Sequence, residues 1–161
     1  PSFDDNVIKG DLPYCVSFDS GGKVKWSGKV FDYPKGVENQ VIVVTTRKAT
    51  PEYIAYLRAQ NIAYILADDA NGTKIDVQIA LDKLYNLFGI KRFALTGGAI
   101  INAEFLRLNL VDEILLVVAP FIDGTKNATI CESNANLTKQ FRLGEVTKLK
   151  DDGLLLSYTK I

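Results

Sequence analysis

The chain has 161 residues, of which 47% are hydrophobic and 24% charged, a composition typical of a single globular domain with its own core. With 19 basic and 19 acidic side chains the formal net charge is zero, so the basic surplus of a nucleic-acid-binding or membrane-surface protein is missing. There is no histidine, which excludes histidine zinc ligands, Ser-His-Asp triads and histidine general bases.

The sequence also carries signals about cellular location. No apolar run approaches the roughly 20 residues that a spanning helix needs, and no signal-peptide pattern is visible. Cys15 and Cys131 lie far apart with no CxxC spacing, which predicts two small buried residues in a reducing compartment rather than a disulfide framework. We therefore expect a cytoplasmic protein. The absence of methionine predicts a chain that has been processed, truncated or engineered.

The first half of the chain begins with extended segments and then alternates strands with helices. Residues 12–18 form a β-rich run that ends at a turn over residues 19–22, and residues 23–30 alternate in the manner of a short amphipathic strand or arm. The β-branched run 41–44 predicts a strand buried on both faces. Thr50 followed by Pro51 predicts the start of a helix that ends at residue 60, and residues 62–66 predict the next strand.

The second half continues the alternation and ends in a hairpin. Apolar spacing predicts a helix over residues 76–88, with Gly89 as its cap. A strand at 91–95, a helix that begins at Ala99 and a strand at 113–119 follow in that order. Residues 141–150 and 153–160 predict two antiparallel strands. The predicted fold is a three-layer α/β domain over residues 1–161, with a mostly parallel sheet flanked by helices and a C-terminal antiparallel hairpin.

The best candidate site lies between a predicted strand and a predicted helix, at Gly97, Gly98 and Ala99. Glycines let the backbone approach a ligand closely, and the first N–H groups of a helix suit a phosphate or diphosphate. The full G-x-G-x-x-G fingerprint is absent, so a tight turn that simply needs glycine remains the alternative.

Two further segments end predicted strands. Thr45, Thr46, Arg47 and Lys48 offer hydroxyls and cations that suit an adenosine 2′-phosphate, and a solvated loop is the alternative. No acidic residue lies at positions 45–50 to receive a free ribose hydroxyl. The turn over residues 19–22 could bind phosphate through its backbone, although a plain turn is favoured there.

The run KRFALTGGAIINAEFLRLNLVDE at residues 91–113, followed by Ala119-Pro120, is close to a family signature. It resembles the reductase domain of riboflavin biosynthesis, the C-terminal domain family of the bifunctional deaminase-reductases, which is dihydrofolate-reductase-like. The resemblance covers roughly residues 12–161 and implies that the family's N-terminal region is missing. It also implies a dihydrofolate-reductase-like fold and NADPH-dependent reduction of a ribosyl-aminopyrimidine sugar to the ribityl form.

The resemblance assigns site residues one by one. The cofactor diphosphate loop corresponds to Gly97, Gly98, Ala99, Ile100, Ile101 and Asn102. Thr45 and Thr46 correspond to the loop near the adenosine end, and Ser20 to a further cofactor contact. Thr96 stands where the riboflavin enzymes usually carry a substrate-binding glutamate, and it is the predicted substrate contact.

The function predicted on this basis is an NADPH-dependent reductase with a small-molecule substrate, which forms a homodimer and has no nucleic-acid or membrane partner. No metal ligand and no catalytic residue is assigned. Two alternatives share the fold: a non-catalytic truncated or engineered scaffold, and a simple nucleotide-binding module. Binding of NADPH with or without its oxidation would distinguish them.

Overall fold

The computed structural model describes residues 2–122, 124, 129–132 and 136–161. Residue contacts divide the chain into two compact units, Pro1–Phe93 and Ala94–Ile161. The prediction of one domain over residues 1–161 stays a prediction.

The first unit is built around one central strand, β3. Its elements are β1 (Tyr14–Phe18), β2 (Val30–Asp32), β3 (Glu38–Thr45), α1 (Pro51–Ala59), β4 (Ala63–Leu66) and α2 (Val77–Phe88). Strand β3 pairs in parallel with β1 and with β4, and in antiparallel with the short β2. The carboxyl ends of β1, β3 and β4 therefore meet at one edge of the sheet.

Both faces of β3 are covered, as its β-branched sequence predicts. Val41 and Val43 belong to a core cluster with residues of α1, and Ile42 and Val44 belong to a second cluster with residues of α2. Because successive strand residues point to opposite faces, α1 and α2 lie on opposite sides of the sheet. The first unit is therefore a three-layer α/β structure.

The helix ends of this unit follow from local sequence. The Thr50 hydroxyl accepts a hydrogen bond from the Tyr53 N–H at 3.2 Å, and Pro51 is the first residue of α1. The Asp76 carboxylate accepts from the Ile79 N–H at 3.0 Å, and Gly89 closes α2 in the left-handed conformation at φ 72°. These observations confirm the predicted boundaries of α1 and α2 to within a residue.

The second unit contains one helix and a three-stranded sheet. Its elements are α3 (Ala99–Arg107), β5 (Glu113–Val118), β6 (Phe141–Lys148) and β7 (Leu154–Lys160). The sheet has the order β5-β7-β6, and both pairings are antiparallel. The predicted C-terminal hairpin is confirmed as β6 and β7.

One predicted strand is absent, and a second segment, predicted as a strand or an arm, is almost entirely outside strands. Residues 89–98 form neither helix nor strand, so the strand predicted at 91–95 is absent, and the boundary between the two units falls within this segment. A strand needs a partner with which to form ladder hydrogen bonds, and an apolar run does not specify one. In the segment 23–30 only Val30 is in a strand, at the start of β2.

The predicted sheet also differs from the observed arrangement. The described residues form two sheets rather than one, with two parallel and three antiparallel strand pairings. The α/β class is confirmed, but a mostly parallel sheet is not what these pairings show. Strand β5 pairs with β7 of the terminal hairpin, a choice that the local pattern of β5 does not reveal.

Two observations bear on the expected environment of the protein. Within the described ranges, none of the helices has both the length and the apolar character required to cross a bilayer. Cys15 and Cys131 are free, as predicted, but both are partly exposed rather than buried. Partial burial raises the pKa of the Cys15 thiol above its usual value.

Candidate functional site

The glycine turn of the second unit leads directly into α3. Gly97 has φ 96°, a left-handed conformation that favours glycine, whereas Gly98 is extended at φ −76° and ψ −172°. The peptide bond between them is cis. Thr96, Gly97 and Gly98 are all exposed, so a ligand can reach the backbone of this turn.

The N-terminus of α3 is open to an anion. Gly98 is the N-cap and provides no side chain to accept from the first helical N–H groups. The first turn of the helix contains no acidic residue. No side chain of the first turn therefore compensates the partial positive charge of the helix end, which favours a phosphate or diphosphate at this position.

Asn102 already uses its side chain within the second unit. Its Nδ2 donates to the Ile130 carbonyl at 2.8 Å, and the Glu132 N–H donates to the Ala99 carbonyl at 3.1 Å. A Cβ built on Gly97 would lie 3.3 Å from Asn102 Nδ2. Asn102 thus holds the segment 130–132 beside the glycine turn, and its own N–H already donates to the Gly98 carbonyl at 3.0 Å.

In the first unit, Ser20 and Thr46 are brought together at the carboxyl ends of β1 and β3. The Thr46 hydroxyl donates to the Ser20 carbonyl at 2.8 Å and accepts from the Lys48 N–H at 3.1 Å. Both Thr45 and Thr46 have no exposed surface, and no hydrogen-bond partner is found for the Thr45 hydroxyl. Their buried side chains therefore support the loop from the protein interior. A ligand would contact the backbone of the loop or the exposed side chains of Arg47 and Lys48.

The turn after β1, a candidate phosphate-binding turn in the sequence, is organised by the side chain of its first residue, Asp19. Its Oδ2 accepts hydrogen bonds from the N–H groups of Lys23 at 2.7 Å and Val24 at 2.8 Å. The Tyr53 hydroxyl lies 3.3 Å from the same oxygen. The available signal was the sequence Asp-Ser-Gly-Gly, because an aspartate at the start of a turn commonly accepts from backbone groups that follow it.

The cation predicted to receive a 2′-phosphate is already paired. Arg47 Nη1 contacts Asp68 Oδ2 at 2.6 Å, and the Arg47 N–H donates to Asp68 Oδ1 at 2.6 Å. Asp68 follows β4, so the acidic residue missing from positions 45–50 arrives from the neighbouring strand. Lys48 is exposed, and among the described residues no ion pair is found for it.

The predicted site residues thus fall into two groups, each placed within its own unit. Ser20, Thr45 and Thr46 lie in the first unit, and residues 96–102 lie in the second. Participation of both groups in one cofactor site, and the contact of Thr96 with substrate, stay predictions.

The three-layer first unit is of the α/β class in which ligands bind at the carboxyl ends of parallel strands. The chain belongs to the RibD C-terminal domain family, whose model matches residues 17–155. This match confirms the resemblance carried by residues 91–113.

Two curated relatives are 2,5-diamino-6-ribosylamino-4(3H)-pyrimidinone 5′-phosphate reductases. The protein from Aquifex aeolicus is 36% identical over 127 residues, which cover 79% of this chain and 54% of the relative. The protein from Methanothermobacter thermautotrophicus is 29% identical over 123 residues, which cover 76% and 53% respectively. The chain therefore spans about half the length of the curated relatives it matches.

Solved structures share the fold at low sequence identity. A pyrimidine reductase-like protein from Corynebacterium diphtheriae has a TM-score of 0.74 at 20% identity, covering 93% of this chain and 62% of that protein. RibD from Acinetobacter baumannii has a TM-score of 0.67 at 19% identity, covering 91% and 37% respectively. These likenesses show that the α/β fold is similar to that of RibD-type reductases.

Proposed function

We propose that this chain is the reductase domain of an enzyme that uses NADPH to reduce a ribosylamino-pyrimidinone 5′-phosphate. Membership of the RibD C-terminal domain family and the reductase names of two curated relatives support the reaction class. The structural observation that carries the proposal is the uncapped N-terminus of α3 behind an exposed glycine turn.

The residues of this turn fit a dinucleotide diphosphate in three respects. The backbone at Thr96, Gly97 and Gly98 is exposed, and no acidic side chain lies in the first helical turn. A Cβ at Gly98 would meet no atom of the described residues within 4 Å. A negatively charged group can therefore reach the helix N–H groups without meeting an acidic side chain of the first helical turn.

The chain's own part in the reaction is to bind and orient. The backbone N–H groups from Gly97 to Ile101 hold the diphosphate. Asn102 supports them through its hydrogen bonds to Gly98 and Ile130. The exposed Thr96 hydroxyl beside them contacts the substrate. When bound, NADPH supplies the hydride for reduction. Because the chain has no histidine, the accompanying proton comes from water or from another acidic group.

The preference for NADPH over NADH rests on Arg47 and Lys48. Arg47 can offer a 2′-phosphate only part of its charge, because Asp68 holds its guanidinium. Lys48 adds an exposed cation next to the Thr46 loop. We propose that Ser20, Thr45 and Thr46 contact the adenosine half through backbone groups.

Calorimetric titration of the folded chain with NADPH and NADH tests this proposal. We expect NADPH to bind at least tenfold more tightly, a difference of about 1.4 kcal/mol. Gly98→Val should weaken NADPH binding by more than about tenfold, because a branched side chain would cover the helix N–H groups. The backbone at Gly98 has a negative φ and open space around it, so the variant should keep its melting temperature.

The control is Gly28→Val, at another glycine with open space around its Cβ position and no positive φ. It should leave both binding and melting temperature unchanged. A folded chain that binds neither dinucleotide would contradict the proposal and favour the non-catalytic scaffold. Binding without NADPH oxidation in the presence of the pyrimidinone substrate would favour the nucleotide-binding module.

We also propose that the chain forms a homodimer through the antiparallel sheet of the second unit. Leu115 and Val117 alternate along β5, so they share one face, and they are 63% and 60% exposed. A pair of exposed aliphatic residues on a sheet face is a feature that protein–protein contacts commonly cover.

A further inference from the structure

The turn after β1 is held in shape by a single carboxylate. Asp19 is buried, with 8% of its surface exposed, and its Oδ2 accepts the N–H groups of Lys23 and Val24 at 2.7 and 2.8 Å. The Asp19 N–H donates to the Val44 carbonyl of β3 at 2.9 Å, and the Gly22 N–H donates to the Asp19 carbonyl at 3.3 Å. Charge-assisted bonds of this kind are stronger than those between neutral groups.

A tyrosine of α1 also hydrogen-bonds to this turn. The Tyr53 hydroxyl donates to the Val24 carbonyl at 2.9 Å and lies 3.3 Å from Asp19 Oδ2. Since the hydroxyl has one proton, the nearer carbonyl is its main acceptor. Burial, and in second place the Asp19 carboxylate, raises the pKa of Tyr53 well above its usual value, so the hydroxyl keeps its proton in alkaline as well as neutral solution.

The Tyr53 ring also limits what the turn can contain. Gly22 has φ 65°, and a Cβ built on it would lie 2.5 Å from Tyr53 Cδ1. The backbone at Gly22 therefore lies too close to the Tyr53 ring for any side chain to fit between them. Between Asp19 and Gly22 lies Ser20, whose carbonyl accepts from the buried Thr46 hydroxyl.

Tyr53 differs from its neighbour Tyr56 in the backbone segment to which its hydroxyl is hydrogen-bonded. Both lie on α1, and the Tyr56 hydroxyl bonds to the backbone of Trp26, beyond the turn. Tyr53 instead bonds to the turn that ends β1, at the edge where parallel strands present ligand-binding groups. The two tyrosines therefore form a matched pair for substitution, because the Tyr53 hydroxyl bonds to the 19–24 turn of the candidate site and the Tyr56 hydroxyl bonds outside that turn.

We propose that Asp19 and Tyr53 are positioning residues that hold the 19–24 turn in the shape in which Ser20 contacts the cofactor. The inference rests on the proposed function, because it requires Ser20 to be a cofactor contact. Neither side chain needs to touch the cofactor, since each acts through the backbone of the turn.

The test compares Tyr53→Phe with Tyr56→Phe in the full chain, using NADPH as the probe. Each variant keeps its ring and loses one hydroxyl that bonds to backbone. We expect Tyr53→Phe to raise the dissociation constant for NADPH about fivefold, as for the loss of one hydrogen bond, and Tyr56→Phe to leave it unchanged. Amide exchange at Lys23 and Val24 should increase in Tyr53→Phe only.

A second pair tests the carboxylate. Asp19→Ala removes the acceptor and should weaken NADPH binding more than Tyr53→Phe does, whereas Asp19→Asn keeps an acceptor oxygen and should recover most of the affinity. A purely structural role predicts lower melting temperatures with unchanged affinity in the folded fraction, and that result would overturn the inference.

The outcomes separate this inference from the function on which it rests. If the wild-type chain binds NADPH and Tyr53→Phe and Tyr56→Phe bind it equally well, Asp19 and Tyr53 have no positioning role, while the proposed cofactor stands. If the folded wild-type chain does not bind NADPH, both the cofactor and the positioning role are rejected.

Discussion

Thr46 and Asp19 have buried polar side chains in the first unit that bond to backbone rather than to solvent. Thr46 donates to the Ser20 carbonyl, and Asp19 accepts from two N–H groups of the following turn. Each removes the cost of an unpaired buried polar group and at the same time fixes a loop at the carboxyl edge of the sheet. Individual hydrogen bonds thus set the geometry that a ligand would meet.

Gly22 allows a residue-scale prediction about stability. Gly22→Ala places a methyl group against the Tyr53 ring and also forces a side chain into a left-handed conformation. The ring cannot readily move, because its hydroxyl is bonded to Val24. We expect the free energy of unfolding to fall by more than about 2 kcal/mol, measured by denaturant titration.

The matched control for this change is Gly28→Ala. Gly28 has no neighbouring atom within 4 Å of a Cβ position and no positive φ, so its substitution should change stability by less than about 0.5 kcal/mol. Equal stability of the two variants would show that the 19–24 turn does not pack against Tyr53 as described.

At the residue scale, the sequence predicted which residues are buried or cap helices better than it predicted which side chains pair with one another. The buried β-branched run, the cap of α1 at Thr50 and the cap of α2 at Gly89 are local signals, and the structure places them as expected. The pairing of Arg47 with Asp68 joins residues 21 positions apart and depends on the parallel register of β3 and β4. No local pattern specifies that register, so the carboxylate beside the predicted phosphate-binding cation could not be foreseen.

At the scale of elements, the helices differ in how their N-termini are satisfied. The first turns of α1 and α2 are capped by Thr50 and Asp76, whereas α3 begins at Gly98 with no side-chain cap. An uncapped helix end is less stable by itself, and a bound anion would satisfy the same N–H groups. The missing cap thus coincides with the candidate binding position.

The cap of α2 gives a prediction at this scale. Asp76→Ala removes the acceptor of the Ile79 N–H and should lower the free energy of unfolding by about 1 kcal/mol, a shift in melting temperature of roughly 2–4 °C for a chain of this size. Asp76→Asn should keep most of the stability, because asparagine caps nearly as well.

Asp82→Ala is the comparison on the same helix. Asp82 is in the helix interior and accepts only an exposed hydrogen bond from Gln78 at 3.2 Å, so its loss should matter less than that of Asp76. A larger effect at Asp82 than at Asp76 would contradict the capping argument.

Element type was predictable wherever periodicity was long or flanked by turn residues. Strand β3, helix α2 and the β6–β7 hairpin carry such patterns and were placed correctly. The segment 91–95 is short, with two basic residues before its apolar ones, and it forms no strand in the part of the chain that the structure describes. Pairing is a property of two segments, and a single sequence window contains only one of them.

For the whole molecule, the two sheets differ in how far their apolar residues are exposed to solvent. The central strand of the first sheet is covered by helices on both faces, whereas the second sheet has exposed aliphatic residues on β5 and β6. Leu143 and Val146 of β6 are 50% and 52% exposed. Large apolar side chains gain free energy when another protein surface removes them from water.

Self-association is the prediction that belongs to this scale. Sedimentation equilibrium at micromolar concentration should show a dimer, and Leu115→Lys should shift the protein toward monomer, because a charged side chain would have to lose its hydration in the contact. Leu115 lies opposite Ser157 in the sheet, so lysine can extend into solvent without disturbing the strand pairing. Its melting temperature measured at low concentration should therefore stay close to that of wild type.

Tyr85→Lys provides the control, since Tyr85 on α2 is exposed to a similar degree, at 57%, and lies in the first unit. If β5 forms the contact, this variant should sediment as the wild type does. A wild-type chain that is monomeric at micromolar concentration would reject the dimer. A dimer that Leu115→Lys leaves intact would instead place the contact elsewhere. In that case the exposed residues of β6 would be the next to substitute, because their side chains project from the other edge strand of the same sheet.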